Sequence, residues 1–124
     1  MRQQYHSRQI DGELLIWDVR RLISLTMDMP IRDVLLSNIR ELDEIFWFKC
    51  AAPTCRAIAH HADLINSADL AYPIILSADG RVMDGMHRVC KALLSEQETI
   101  RAVQFTRDPD PDFVNVELES LPYD

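Results

Sequence analysis

The stretch from Ile74 to Ser95 constrains the fold more than any other part of the chain. Ile74-Ile75-Leu76 is an uninterrupted β-favouring run, Ser77-Ala78-Asp79-Gly80 carries turn chemistry, and Arg81-Val82-Met83 resumes an extended pattern. The spacing predicts a β-hairpin. From Met86 the period changes, and Met86, Val89, Cys90, Leu93 and Leu94 recur at helical spacing to about Ser95. A hairpin that runs directly into a helix, followed by a strand over Ile100 to Phe105, points to an α+β fold. The expected architecture is a small mixed sheet of about four strands with helices packed on it.

The remaining segments are read around that unit. Between Gly12 and Met27, the residues Leu15, Val19, Leu22 and Ile23 fall on one face and Pro30 follows closely, which predicts an amphipathic N-terminal helix. Val34-Leu35-Leu36 predicts a short strand, and Glu41 to Pro53, with its aromatic patch Phe46-Trp47-Phe48, an ordered loop. Thr54 can cap a helix whose apolar face is Ala57, Ile58, His61, Ala62, Leu64, Ile65 and Ala68. Arg56, His60, Asp63 and Ser67 form its polar stripe. The organisation expected is a helical extension over 1–30, a central domain over 31–106 and a tail over 107–124. That tail carries six acids, one base and three prolines, a composition suited to an extended surface strap.

Bulk properties exclude several classes. With 124 residues, of which 48% are hydrophobic, the chain can bury one core but not two ordinary ones. A net charge of -7 opposes nucleic acid as a partner, because that affinity depends mainly on Lys and Arg neutralising phosphates. No apolar run approaches the ~20 residues a membrane helix needs, and the N-terminus lacks the apolar stretch of a secretory signal, so a cytoplasmic location is expected. Cys50, Cys55 and Cys90 are an odd number at unremarkable spacing, which fits reduced thiols better than a disulfide framework. Cys50, Cys55, His60 and His61 invite a zinc reading, but adjacent histidines lie about 100° apart on a helix, and no metal site is assigned.

The chemistry concentrates at Asp84-Gly85-Met86-His87-Arg88. The chain has only three glycines, and two of them flank the strand Arg81 to Met83. Gly80 is explained by the hairpin turn. Gly85 stands where a strand becomes a helix, and without a Cβ it would let a ligand approach the exposed N–H groups of the first turn. Those groups and the helix dipole suit phosphate, with His87 and Arg88 adding side-chain donors. Asp84 is the local carboxylate that would offset two cations at this end, either as a cap or as an ion-pair partner.

Residues Pro73 to Phe105 resemble the hairpin, helix and strand of the ParB/sulfiredoxin superfamily, with a looser match beginning near Ile31. The resemblance implies that Gly85, His87 and Arg88, with Met86 between them, hold nucleotide phosphates. Sulfiredoxins place a catalytic cysteine directly before the His-Arg pair, where this chain has Met86, so sulfinic acid repair is not expected. ParB proteins carry Gly-Glu-Arg-Arg in this box and continue into a helix-turn-helix, which has no counterpart after Phe105. Chromosome partitioning is therefore not expected either.

The box is most similar to the Asp-Gly-His-His-Arg of free-serine kinases with the same fold. That branch implies a glutamate base, for which Glu41 or Glu44 stands in a comparable place. A mechanism of this kind would use ATP or ADP with magnesium, and in it Asp84 is expected to position the magnesium ion or the acceptor. Arg56 is a candidate for an anionic substrate group, and Trp47 for closing over the substrate or stacking on a base. Two functions follow as expectations: a nucleotide-dependent phosphotransferase acting on a hydroxyl, or a non-catalytic module that senses a nucleotide or anion. The partner expected in either case is a nucleotide or phosphorylated small molecule, and homodimerisation is left open.

Overall fold

In the computed structural model, which describes residues 3–123, the hairpin and helix at the centre of the chain form as expected. Strand β4 here denotes Ile74–Leu76, β5 Val82–Asp84, and α3 Met86–Leu94. The flanking elements are β1 (Tyr5–Ile10), β2 (Glu13–Asp18), α1 (Val19–Thr26), β3 (Arg32–Leu35), α2 (Cys55–Ser67), β6 (Thr99–Gln104) and β7 (Phe113–Val114). The fold is α+β.

Its central sheet has the order β3-β6-β4-β5, with β4 parallel to β6 and the other neighbours antiparallel. Both faces of this sheet are covered. On one face Ile74, Leu76, Val82, Ile100 and Ala102 pack beneath Met86, Val89 and Ala92 of α3, with Leu36 and Ile39 completing the cluster. On the other, Ile75, Met83 and Val103 pack against Trp17, Leu22 and Phe105. Successive side chains of a strand point to opposite faces, so a sheet covered on both sides requires β4 to be apolar throughout.

The N-terminal segment differs from the sequence expectation. Helix begins only at Val19, with the Asp18 carboxylate capping it by accepting from Arg20 N at 2.9 Å. Residues 5 to 18 form the antiparallel pair β1 and β2, joined at Asp11-Gly12 with both residues at positive φ. Asp-Gly in this conformation is the turn that matches the twist of a two-residue hairpin. Leu15, Ile16 and Trp17 belong to β2, and Ile16 and Trp17 are buried there. Their helix-like spacing with Val19 and Leu22 arises because strand and helix bury consecutive parts of one apolar run.

The acidic tail, expected as an extended surface strap, packs in part on the body: Leu121 is buried, and two of its acids, Asp108 and Asp112, accept hydrogen bonds from other segments. β7 adds to β2 as a third strand. Trp17 donates its indole N–H to Pro109 O at 2.9 Å, and the Asp112 carboxylate accepts from Asp18 N at 2.8 Å and Arg21 Nη1 at 3.1 Å. Among the described residues no helix is long and apolar enough to cross a membrane.

Candidate functional site

The Asp84–Arg88 turn lines a cleft of about 1330 Å³ that opens between the β1–β2–α1 lobe and the start of α3. All five residues of the turn reach it. Val19, Ile23, Met27, Met29 and Ile31 form an apolar wall on the lobe side, and Trp47, His60 and Leu64 contribute from the opposite direction. The cleft therefore combines a large apolar body with the first-turn N–H groups of α3, which no helical carbonyl can satisfy.

Gly85 is required there for a reason other than ligand approach. It caps α3 in the left-handed region at φ 105°, and a Cβ would lie 2.7 Å from Ile74 Cγ2 and 2.9 Å from Arg88 Nη2. Packing already fills the space beside it. Asp84 does not cap the helix; its Oδ2 accepts from Arg88 Nη2 at 2.9 Å. Arg88 Nη1 donates to Tyr72 O at 3.0 Å and Pro73 O at 2.8 Å. The guanidinium thus ties the loop before β4 to the start of α3, and its charge is balanced by Asp84. Met86 is buried, packed into the sheet-side core.

His87 is brought to a partner that sequence reasoning missed. Its Nε2 lies 2.9 Å from His61 Nδ1, and the Trp47 ring stacks on both imidazoles at 4.4 Å, tilted 15° to His87 and 28° to His61. Phe48 meets His61 edge-on at 5.2 Å. α2 and α3 lie side by side, with Lys91 Nζ donating to Asn66 O and Ala68 O further along. Burial first, then the neighbouring imidazoles, hold both histidines below the ordinary imidazole pKa: His60 acts on His61, and both His61 and His60 act on His87.

The acids expected to act as base lie elsewhere. Glu41 is buried in a 3-10 turn over Arg40–Asp43, where its Oε2 accepts from Val82 N at 2.7 Å. Its Oε1 stands 3.8 Å from Arg81 Nη1 and has no hydrogen-bond partner among the described residues. Glu44 accepts twice from Arg81 Nη1, at 2.7 and 2.8 Å, and that bond holds its carboxyl below the usual range. Neither Glu41 nor Glu44 lines the cleft, and Arg56, exposed in the first turn of α2, does not line it either. Trp47 does.

His6, on β1, is a second cleft residue without a sequence signal, because its segment reads as non-strand. It stacks on Trp17 at 5.7 Å, its Nε2 is buried without a partner among the described residues, and burial together with the charges of Arg8 and Lys49 lowers its pKa to about 4.

The one carboxylate of this turn, Asp84, which was expected to position a magnesium ion, is engaged by Arg88, and among the described residues no group of three or more His, Cys, Asp or Glu side chains is placed to hold a metal. No protein-family model, curated protein or solved structure matches the chain.

Proposed function

We propose that the chain is a ligand-binding domain of the ParB/sulfiredoxin-like type, whose cleft takes a nucleotide or another phosphorylated small molecule of low charge. The observation that carries this reading is that Asp84 to Arg88 line one large cleft together, and the first-turn N–H groups of a helix are left without helical acceptors. The apolar wall of Ile23, Met27, Met29 and Ile31 supports a ligand with an apolar or flat body, against which Trp47 can stack.

Low charge follows from the neighbours of the phosphate end. Arg88 is neutralised by Asp84, His87 is held toward its neutral form, and the chain as a whole is acidic. A triphosphate with magnesium would find too little positive charge here, whereas a monophosphate needs little more than N–H donors. Glu41 and Glu44 lie outside the lining, which favours binding without turnover.

Isothermal titration with AMP, ADP, ATP with magnesium and inorganic phosphate tests the reading. Saturable binding of AMP or phosphate at millimolar concentration or below, with ATP and magnesium no tighter, is expected. Absence of binding by every one of them would refute it. Phosphoryl transfer to a hydroxyl retains one support, the buried and partly unpartnered carboxylate of Glu41. It requires phosphate release or transfer from a nucleotide that Glu41→Gln abolishes.

A further inference from the structure

The His61–His87 contact has a property that neither histidine has alone. Two imidazole nitrogens 2.9 Å apart are at hydrogen-bond distance, and with ring planes only 21° apart and centroids at 5.1 Å the rings meet edge to edge. Such a bond needs a proton on one of the two facing nitrogens and a lone pair on the other. A first added proton enters on the outer nitrogen of the donor ring and leaves the bond in place, now charge-assisted. A second added proton has to enter the acceptor nitrogen of the bond itself. It removes the lone pair, and two imidazolium rings then face each other donor to donor.

The Trp47 ring lies over both members of the pair and also lines the cleft. It belongs to a loop between the 3-10 turn at Arg40–Asp43 and α2 that has no regular structure. While the pair is joined, the two imidazoles offer the indole a single flat platform. One positive charge on that platform still favours the indole face through a cation–π contact. Separation of the rings divides the platform.

We propose that the His61–His87 pair is a two-stage proton switch for the Trp47 cover of the cleft, closed with no or one added proton and released by the second. The charged groups around the pair do not supply a competing partner. His60, on the same helix, meets His61 at 5.9 Å and adds a third imidazole rather than a carboxylate. From α3, Arg88 is held by Asp84 of β5 and by the carbonyls of Tyr72 and Pro73, and Lys91 by those of Asn66 and Ala68. The loop side presents Trp47 and Phe48. The switch does not depend on which ligand the cleft takes, so it stands or falls separately from the phosphate reading.

Nitrogen-15 NMR of the histidine rings, across a pH titration of the whole chain without ligand, tests it. The expected result has one facing nitrogen protonated and the other bare at neutral pH, and two uptake steps separated by more than about tenfold in proton affinity. Hydrogen exchange of the Trp47 indole N–H should rise across the second step only. His60→Gln should leave both steps in place, while His61→Gln should merge them into the single titration of His87. Independent titration of His61 and His87 with like tautomers would overturn the proposal. So would an unchanged Trp47 exchange rate through the second step.

Discussion

Replacing Gly85 by alanine separates two contributions that a single variant would confound. Both Gly80 and Gly85 lie at positive φ, 84° and 105° respectively, so an alanine at either costs about 1–2 kcal/mol for the left-handed backbone. At Gly80 a Cβ meets nothing within 4 Å, and the backbone term is the whole effect. At Gly85 the new methyl lies 2.7 Å from Ile74 Cγ2, on a β-branched side chain that is fully buried and has no room to turn. Its other neighbour, the Arg88 guanidinium, is tethered to three acceptors. Relief therefore has to come from the strand or the helix start, an overpacking cost of about 1–3 kcal/mol more. Gly85→Ala should thus cost about 2–5 kcal/mol against about 1–2 for Gly80→Ala. Urea unfolding of both variants should show midpoints separated by roughly 1 M, given slopes of about 1–3 kcal/mol per molar. If the two variants unfold within about 0.5 kcal/mol of each other, the claim that packing holds the space beside Gly85 is refuted.

The folded pKa of His6, about 4, lies below its unfolded value near 6.5, so its contribution to stability is complete above pH 6.5. It is lost as pH falls from there to 4, by about 3 kcal/mol in all, and urea unfolding across this window should show a slope that His6→Phe removes. Asp112→Ala takes acceptors from the Asp18 amide and from Arg21, and should cost about 1–2 kcal/mol and expose residues 107–123 to limited proteolysis. Arg88→Ala strands Asp84 and two carbonyls and should lower stability by about 2–4 kcal/mol, read by the same urea titration. Asp84→Asn should tighten phosphate binding in calorimetry, because the guanidinium loses its balancing charge.

The parts legible in the sequence are those where local chemistry and tertiary placement agree. Ser77 to Gly80 form the expected turn, and the change of period at Met86 marks a helix that buries Met86 and Val89 against the sheet; Leu93 and Leu94, read with its packing face, are exposed instead, and Ala92 is buried in their place. Thr54 likewise caps α2, accepting from Ala57 N at 3.1 Å. The N-terminal hairpin was hidden because Leu15, Ile16, Trp17, Val19 and Leu22 form one apolar run shared by a strand and a helix. The signal that resolves it is Asp11-Gly12, a turn dipeptide placed between two strands. At the site, the residues of the 84–88 turn and the pairing of Asp84 with a neighbouring base were visible, but the packing role of Gly85 and the tether made by Arg88 were not. Gly85 makes room for Ile74 and Arg88, and Arg88 serves the chain as a tether. The meeting of His61 with His87 depends on how α2 packs beside α3, which no spacing within either helix encodes.

Backbone amide resonances, followed while AMP or inorganic phosphate is added, report whether a phosphorylated ligand sits at the start of α3 in this cleft. Saturable shifts centred on Gly85, Met86 and His87 are expected, accompanied by shifts of Trp47 with AMP. Shifts that do not saturate at millimolar ligand, or that centre on residues outside the cleft, would contradict it.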